Sequence, residues 1–450
     1  MADQIFELIE SEKERQQETL MMIPSENYTY SEVREAVGSI LMHKYAEGYP
    51  KKRYYQGNKV VDMIEDLVRL RALEVFGLRQ AQAWQVNVQP HSGCEANLAV
   101  YNALLNPGDK ILSMYLPDGG HLSHGWEIVA SEGKPGNKVT LVSKIFEVNF
   151  YKTSPVTRLL DYDQIEAQAM QFKPKMIISG GTAYAREIDY KRMGEIARKV
   201  GAYYLADVSH EAGLIAAGVL SSPFEAADVV TMTTHKTLRG PRGAMIFCKK
   251  DLQNRMDLAV MPGLQGGPHL HTIAGIGVAL EKTKEPQFKE YAVQTVKNAQ
   301  VLADELVKGG LDVVSGGTDK HLVLVDLRDH HVSGWFVAWA LEYAGIIMNR
   351  NTVPQETASP FYPSGLRMGT PAITVRGMKE EEMKAIASWI IEIIGKIGER
   401  EIPASAGSQE DAEERKDYLD KFKVEMQNDE LINRVRAEVL AFCKRFPVEL

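Results

Sequence analysis

Lys236 is the residue whose position in this sequence most clearly suggests chemistry. It follows an apolar run, VVTMTT at residues 229–234, and precedes the glycine-rich turn RGPRG. A charged amine in such a place is unfavourable unless something uses the charge. A desolvated lysine loses its proton readily and can attack a carbonyl group. Lys236 is therefore a candidate nucleophile.

Two further features could work with this amine. Asp207 ends a second apolar run, YYLAD, and the stretch QPHSGCEAN places Ser92, Gly93 and Cys94 before a helical segment. Backbone N–H groups at a helix start can bind phosphate, although an ordinary helix cap made by Ser92 explains the stretch at least as well. An amine, a carboxylate and a phosphate cup together suggest pyridoxal phosphate, which needs them for its aldehyde, its ring nitrogen and its phosphate. The absence of a GxxxxGK[ST] sequence disfavours a P-loop nucleotide enzyme.

A mostly parallel α/β sheet is predicted to position these residues, because short apolar runs alternate with helical segments between about residues 80 and 250. The predicted strands are KILSM at 110–114, MIIS at 176–179, YYLAD at 203–207, VVTMTT at 229–234 and AMIFC at 244–248. A helix is predicted over YKRMGEIARKV, ending at Gly201. Such sheets bind ligands beyond the carboxyl ends of their strands, where Asp207 and Lys236 both fall.

A second region begins near residue 280. The predicted domains are residues 1–280, an N-terminal arm with the large domain, and residues 281–450, a smaller C-terminal domain. Apolar residues from Phe288 to Leu306 keep helical spacing until Gly309 stops the helix. The run HLVLVDL predicts a strand, and EIPASAGSQEDAEERKD predicts an exposed loop. The first twenty residues predict a charged helix that packs on its own domain or on a neighbour.

The composition is that of a soluble globular protein, since 44% of the 450 residues are hydrophobic and 25% are charged. A net charge of −8 argues against a general binder of nucleic acid or of anionic membranes. The three cysteines have no CxxC spacing, and no apolar run approaches the roughly 20 residues that span a bilayer. The N-terminus has no secretory apolar core and is too acidic for a transit peptide. A cytoplasmic protein is therefore expected.

A series of motifs resembles the serine hydroxymethyltransferase family. In chain order the motifs are PSENYT, KYAEGYPKKRYYQG, QPHSG, GGHLSHG, TTHKTLRGPRG, GLQGGP, SGGTDKHLVLVDL and SGLRMGTPAIT, and the resemblance spans residues 20–395. It implies pyridoxal-phosphate fold type I, the aspartate aminotransferase-like fold, with a smaller C-terminal α+β domain. It also implies pyridoxal phosphate bound covalently by Lys236, and a homodimer with active sites at the subunit interface. Serine, glycine and tetrahydrofolate are the implied small-molecule substrates, and no metal ion, membrane or nucleic acid is expected.

The same resemblance implies roles for individual residues at the cofactor. Asp207 would pair with the ring nitrogen, and His121 would stack on the ring. Other residues implied to contact the cofactor or to surround its lysine are Ser92, Gly93, Cys94, Thr182, His210, Thr233, His235 and Arg242. Tyr45, Gly266 and Gly267 would complete the phosphate cup of a second subunit.

A further implied set concerns the substrates. Arg367 would hold the amino-acid carboxylate, a task suited to its planar donors, with Ser25 and Tyr55 assisting and His210 nearby. Glu47 would move a proton in the folate-dependent step. The residues implied to line the pterin site are Tyr54, Leu116, Gly120, Leu122 and Asn351. The implied catalytic residues are Lys236, Glu47, His121, Asp207 and Tyr55, whereas His124 and Cys443 are interpreted as structural.

The implied reaction is the reversible conversion of L-serine and tetrahydrofolate into glycine and 5,10-methylenetetrahydrofolate. One alternative is a folate-independent pyridoxal-phosphate aldolase acting on threonine-like β-hydroxy amino acids, which Glu47 with Tyr54 and Tyr55 argues against. The other is a non-catalytic binding protein on the same fold, which the presence of Lys236, Asp207 and Arg367 argues against.

Several positions depart from the residues that are usual in the family. The departing residues are Lys51, Gln56, Cys94, Glu95, Thr182, Ser209 and Glu211. Cys94 and Glu95 stand where serine and glutamine are common, and Lys51 and Gln56 stand where glycines are usual. These changes bear on cofactor affinity and on folate or amino-acid preference.

Overall fold

The computed structural model describes residues 3–80, 83–128, 136–403 and 409–450. These residues form two compact units. The larger unit is Thr29–Val293, and the smaller one joins the described residues of Met1–Tyr28 to Gln294–Leu450. Across the described chain, no helix combines the length and the apolar character that crossing a membrane requires.

A seven-stranded sheet organises the larger unit. Across the sheet the strands follow the order Trp84–Asn87, Ala244–Lys249, Val229–Thr233, Tyr203–Asp207, Met176–Ser179, Lys110–Met114 and Glu147–Tyr151. Ala244–Lys249 runs antiparallel to both of its neighbours, and the other pairings are parallel. The predicted α/β class with a mostly parallel sheet is confirmed.

The inner strands are apolar along their whole length because both faces of the sheet are covered. Every residue of Met176–Ser179 and of Val229–Thr233 is buried. On one face, the helix Gly93–Leu104 contributes Ala96 and Val100 to a buried cluster that includes the sheet. Strands that are covered on both sides need no polar alternation. A ligand therefore meets the ends of these strands rather than their faces.

Helices and short ribbons complete the larger unit. Its α-helices are Ser31–Val37, Lys59–Val75, Gly93–Leu104, Leu141–Ile145, Tyr162–Phe172, Tyr190–Val200, Ala212–Ala216, Gln253–Val260 and Leu270–Lys282. Its 3₁₀ turns are Ile40–His43, Leu116–Asp118, Leu122–His124 and Lys250–Leu252. Two-stranded ribbons pair Gly48–Tyr49 with Lys52–Arg53, and Glu127–Ile128 with Asn137–Lys138.

An antiparallel sheet with helices forms the smaller unit, and one buried apolar cluster contains residues of both. The strand order is Asp312–Val313, Leu322–Asp326, Gly365–Gly369 and Asn349–Asn351. Its helices are Gln4–Glu18, Gly334–Tyr343, Pro371–Val375, Glu380–Ile397, Gln409–Gln427 and Glu430–Arg445, with 3₁₀ turns at Val314–Gly316 and Arg328–His330. The helix Pro286–Lys308 contains the boundary between the two units.

The N-terminal segment belongs to the smaller unit. The strand Leu20–Met21 pairs in parallel with Ile346–Ile347. Arg376 reinforces this attachment by donating hydrogen bonds to the backbone carbonyls of Gln16, at 3.2 Å, and Thr19, at 2.9 Å. A strand of two residues is too short to show an alternation of apolar and polar side chains, so the sequence does not predict this pairing.

The predicted elements agree closely with the observed ones. Each of the five predicted strands of the large sheet lies within one residue of the observed strand, and the helix predicted to stop at Gly309 is Pro286–Lys308. The predicted loop over residues 401–417 is wrong in its second half, because Gln409–Gln427 is helical. Glutamate, lysine and arginine are good helix formers, so a dense run of them is compatible with a helix as well as with a loop. Residues 404–408 of that loop lie outside the described residues.

Candidate active site

The carboxyl edge of the large sheet brings Asp207 and Lys236 to neighbouring strand ends. The strands Tyr203–Asp207 and Val229–Thr233 are parallel neighbours, with Asp207 opposite Thr231. Lys236 follows the second strand and is only 8% exposed. An amine buried this deeply beside a strand end is where a reactive lysine is expected.

The Asp207 carboxylate is buried and held by several donors. Its Oδ1 accepts hydrogen bonds from Ser209 N, at 3.0 Å, and from Ser209 Oγ, at 2.6 Å. Its Oδ2 accepts from Asn97 Nδ2, at 2.8 Å, and lies 3.0 Å from His124 Nε2. Burial alone would raise the pKa of Asp207, but the hydrogen bond and charge of His124 outweigh it, so that pKa lies well below its usual range. Asp207 is therefore an anion at neutral pH.

His124, which is interpreted from the sequence as structural, lies in the candidate site because its ring contacts the Asp207 carboxylate. Its ring is fully buried, and it is tilted against the His121 ring with 5.5 Å between centroids. The 3₁₀ turn Leu122–His124 explains this proximity, because residues three apart eclipse one another in such a turn. The spacing of the two histidines in GGHLSHG is the signal that could have identified His124.

Asn97 is a second residue that sequence reasoning missed. It is buried on the helix Gly93–Leu104, donates to Ser123 Oγ at 2.9 Å as well as to Asp207, and accepts from Thr231 Oγ1 at 2.7 Å. The Cys94 thiol also contacts Ser123 by a hydrogen bond. These contacts attach the start of the helix to the strand ends.

The helix start predicted as a phosphate cup is capped at both sides. Ser92 Oγ accepts from Glu95 N at 3.3 Å, and Glu95 Oε2 accepts in return from His91 N at 3.2 Å. This reciprocal arrangement resembles a capping box. A Cβ on Gly93 would come within 2.6 Å of Thr233 Cγ2, so only glycine permits this close approach. The helix start therefore lies beside the strand that leads to Lys236.

The turn that follows Lys236 is fixed by backbone hydrogen bonds. Gly240 N donates to Thr234 O at 2.8 Å, and Arg239 N donates to Lys236 O at 3.1 Å. Arg239 adopts φ of 58°, and its guanidinium lies 4.0 Å from the centre of the Tyr30 ring. This cation–π contact and the two hydrogen bonds hold the turn in a conformation that is uncommon for a side chain of this size.

His235 is a neutral neighbour of the lysine. Burial lowers the pKa of His235 to about 3, and the positive charges of Arg242 and Lys236 contribute to the same effect. Its Nδ1 has no hydrogen-bond partner within the described chain. On the other side of the turn, Thr237 Oγ1 donates to the backbone carbonyl of buried His210 at 2.9 Å.

The loop that carries His121 also carries three residues predicted to line a pterin site: Leu116, Gly120 and Leu122. A Cβ on Gly120 would lie 2.2 Å from Met114 O, so the loop requires glycine there. Leu122 is exposed. Thr182 N donates to Gly119 O at 2.7 Å, which attaches a further predicted cofactor residue to the same loop.

A second cluster joins Tyr45, Glu47, Tyr55, Gly266 and Gly267. The charge of Glu47 and its hydrogen bond with Tyr45 raise the pKa of that tyrosine. The Tyr45 ring meets the Tyr55 ring edge-on, with 5.3 Å between centroids. A Cβ on Gly267 would touch the Tyr45 ring at 3.4 Å, and one on Gly266 would lie 3.1 Å from Glu47 Oε1. Tyr45 is 57% exposed, so this cluster is open to solvent in the single chain.

A buried arginine supports the segment that carries these tyrosines. The Arg53 side chain is 3% exposed and donates to Glu65 Oε2 at 2.6 Å and to Asp62 Oδ1 at 2.9 Å. It also donates to the backbone carbonyls of Ala46, at 2.9 Å, and Gly48, at 2.7 Å. The sequence KKR suggests a solvated surface run, and nothing in it distinguishes Arg53 from the lysines beside it.

Arg367 belongs to the smaller unit, on the strand Gly365–Gly369. It is 8% exposed, and its Nε donates to Asn349 Oδ1 at 3.1 Å. Burial lowers the pKa of Arg367 to about 10, so the guanidinium stays charged at neutral pH. Ser25 and Asn351, which the sequence associates with the substrates, lie in the same unit and are partly buried.

The predicted site residues therefore fall into three groups. The first surrounds the strand ends and the His121 loop, and it contains Ser92, Gly93, Cys94, Leu116, Gly120, His121, Leu122, Thr182, Asp207, His210, Thr233, His235 and Lys236. The second is the tyrosine cluster, in which the ring of exposed Tyr54 also meets Tyr55 edge-on. The third is the group of the smaller unit, with Ser25, Asn351 and Arg367.

Comparison with known proteins gives a consistent result. A family model described as serine hydroxymethyltransferase matches residues 1–390 of the chain. A serine hydroxymethyltransferase of Methanosarcina barkeri is 47% identical over 446 residues, which cover 99% of this chain and 97% of the relative. Mitochondrial serine hydroxymethyltransferases of Eremothecium gossypii and Saccharomyces cerevisiae are 43% and 42% identical, each over 99% of this chain and over 90% and 91% of their own lengths. The similarity extends over both units.

Proposed function

The chain belongs to the serine hydroxymethyltransferase family, and on that basis we propose that it interconverts serine and glycine with pyridoxal phosphate as cofactor. In the forward direction L-serine and tetrahydrofolate give glycine and 5,10-methylenetetrahydrofolate. The observation that carries the proposal is the buried Lys236 at the carboxyl edge of the sheet, one strand from the buried anion Asp207. The family's fold is pyridoxal-phosphate fold type I, as the sequence predicts.

The residues at the strand ends fit pyridoxal phosphate. When bound, this cofactor supplies an aldehyde that bonds to amines and a ring that withdraws electrons from the substrate. A buried lysine suits the aldehyde, and the anionic Asp207 suits a ring nitrogen that must stay protonated. Gly93 lets the N–H groups of a helix start approach the strand ends, where they suit a phosphate.

We assign the cofactor roles on this basis. Lys236 Nζ would hold the cofactor, and the Asp207 carboxylate would keep the proton on the ring nitrogen. His121 would lie on the ring, oriented by Ser123, whose Oγ is 2.8 Å from His121 Nδ1. The other residues proposed to contact the cofactor are Ser92, Gly93, Cys94, Thr182, His210, Thr233 and His235.

Arg367 is proposed to bind the carboxylate of serine. Its guanidinium is buried and charged, and the strand that carries it and the contact with Asn349 restrict its orientation. A planar arginine can donate two parallel hydrogen bonds to a carboxylate, which fixes the orientation of the amino acid. Ser25 and Tyr55 are proposed to assist.

Glu47 is proposed to transfer the proton in the folate-dependent step. Its hydrogen bond with Tyr45 and its place beside Gly266 hold the carboxyl group in position. General acid–base catalysis depends on such positioning. Tyr54, Leu116, Gly120, Leu122 and Asn351 are proposed to line the pterin site.

A homodimer is proposed because the tyrosine cluster is exposed in the single chain and suits the phosphate cup of a partner. The helix Lys59–Val75 adds an apolar stripe that a second copy would cover, since Val60, Met63 and Leu67 are 65%, 65% and 45% exposed. A cytoplasmic location is proposed from the three free cysteines. Two of the relatives described above are named as mitochondrial, so the location needs a direct test. Cell fractionation provides that test.

The decisive experiment is a serine turnover assay with the purified chain, with and without tetrahydrofolate. Glycine formation from serine is expected to depend on tetrahydrofolate. Equal turnover without folate, extending to threonine-like substrates, would instead identify the aldolase alternative. A chain that binds pyridoxal phosphate but turns over neither substrate would identify a binding protein.

A further inference from the structure

Three metal-ligating side chains converge at the strand ends. One ligand atom each from His121, His124 and Asp207 lies within 4.8 Å of the other two. His124 Nε2 and Asp207 Oδ2 are 3.0 Å apart, a separation that two ligands of one ion can have when each is about 2.0–2.2 Å from the metal. Two imidazoles and a carboxylate are a ligand set that transition metals such as Zn²⁺ accept, with one position left open.

The ligands are already oriented by their surroundings. Asp207 accepts from Asn97 Nδ2 and from Ser209, which restricts its carboxylate. The ring of His121 is held by Ser123, whose Oγ lies 2.8 Å from His121 Nδ1 and can accept its proton when Nε2 binds a metal. Partners of this kind fix ligands before the metal arrives, and they distinguish a built site from a chance encounter of side chains.

The second ring nitrogen of His124 gives independent support. His124 is 0% exposed, and its Nδ1 has no hydrogen-bond partner within the described chain. In the metal-free state Nε2 carries a proton, because it faces the carboxylate of Asp207. When Nε2 binds a metal, its hydrogen bond with Asp207 is replaced by bonds from both side chains to the ion, and the proton can pass to Nδ1, which has no existing hydrogen bond to lose.

We propose that His121, His124 and Asp207 bind a divalent transition metal ion when the cofactor is absent, and that this ion excludes pyridoxal phosphate. The exclusion rests on the proposed function, because His121 and Asp207 are also the residues assigned to the cofactor ring. The metal binding itself rests only on the geometry.

The test is a titration of the full-length chain, stripped of cofactor, with Zn²⁺ by calorimetry and with Co²⁺ by absorption spectroscopy. One ion per chain is expected. His124→Gln and His121→Ala should each weaken binding at least tenfold, and circular dichroism should show that both variants remain folded. His269→Ala is the matched control, because His269 stacks on His91 at 3.9 Å, outside the cluster, and should leave the affinity unchanged.

A competition experiment examines the exclusion. Loading with pyridoxal phosphate should abolish the calorimetric signal of Zn²⁺, and Zn²⁺ should slow the appearance of the cofactor's absorbance. No binding, equal binding in both cluster variants, or loss of binding only in His269→Ala would overturn the metal site. Simultaneous binding of metal and cofactor would overturn the exclusion. If metal binds at the cluster but pyridoxal phosphate does not bind at all, the metal site stands and the proposed function fails.

Discussion

Replacement of Arg53 by methionine is expected to destabilise the larger unit strongly. Arg53 is the positive charge that pairs with the Glu65 carboxylate, whose side chain is only 1% exposed. In the variant Glu65 keeps a neutral donor, Gln89 Nε2 at 2.9 Å, but has lost the charge opposite Oε2. The backbone carbonyl of Ala46 loses the donor Arg53 Nη1 as well.

The expected loss follows from the isolated carboxylate. Breaking a buried ion pair by removing one partner costs about 3–5 kcal/mol. A unit of this size loses about 2 °C of melting temperature or more for each kcal/mol, so a decrease of at least about 6 °C is expected. Arg53→Met/Glu65→Met, which removes both charges of the fully buried pair, should recover part of this loss, because Glu65 is no longer a buried unpaired ion. Asp62, whose side chain is 16% exposed, lacks the Arg53 guanidinium in both variants.

The pH dependence gives a second, independent measurement. Burial raises the pKa of Glu65 even beside Arg53, and removal of the guanidinium takes away the main opposing effect. A carboxyl group whose folded-state pKa is raised contributes stability at low pH that is lost as the pH increases. The difference in melting temperature between wild type and Arg53→Met should therefore be larger at pH 8 than at pH 5.

Differential scanning calorimetry measures all of these values. Arg434→Met is the control, because the Arg434 side chain is 45% exposed and its pairs with Glu392 and Glu438 should contribute less than about 1 kcal/mol. The reasoning is refuted if Arg53→Met melts within about 2 °C of wild type, or if the double variant is less stable than the single one.

Three further predictions concern the reaction and the tyrosine segment. Borohydride reduction of the cofactor-loaded chain should label Lys236 in peptide maps; label on Lys249, the lysine that ends the strand Ala244–Lys249, would contradict the assignment. Glu47→Gln should lower folate-dependent serine turnover by roughly 10² to 10⁴, the contribution of general acid–base catalysis, while folate-independent cleavage of β-phenylserine survives; equal loss of both activities would mean that Glu47 has a structural or shared role. Lys51→Gly should stabilise the chain by about 0.5–1 kcal/mol. The φ of 65° costs a lysine about 1–2 kcal/mol, and about half of the gain from removing this strain is lost because glycine has more conformational entropy in the unfolded state. Gln56→Gly, at a position with negative φ, should not stabilise it, and a gain in both variants would disprove the backbone argument.

The large sheet could be predicted because its strands carry their own signal. Met176–Ser179 and Val229–Thr233 are buried on both faces, so each is a short apolar run between helical segments. Asp207 and Lys236 could then be placed at one edge, since the carboxyl ends of parallel strands share it. The start of the helix Gln409–Gln427 could not be separated from a loop, because residues 409–417 are mainly charged in sequence and the buried residues Leu419, Phe422 and Met426 come only after them.

The parts of the site that could not be predicted depend on contacts between residues distant in sequence. Asn97 reaches Asp207 and Thr231 from a helix that begins far earlier in the chain. Glu95, which stands where glutamine is common, directs its carboxylate to the backbone N–H of His91, a local contact four residues back along the chain. The contacts of Asn97, in contrast, become predictable only when the helix start and the strand ends are both in place.

The pairing of Leu20–Met21 with Ile346–Ile347 also sets the order in which the chain can be completed during synthesis. More than three hundred residues separate the two strands, so at about 5–20 residues per second the first strand waits tens of seconds for its partner to emerge. Leu20 and Met22, fully buried in the finished protein, remain uncovered throughout that interval. The strand Leu20–Met21, synthesised long before its partner, is thus among the last elements to pair, and chaperones have that whole interval in which to bind it.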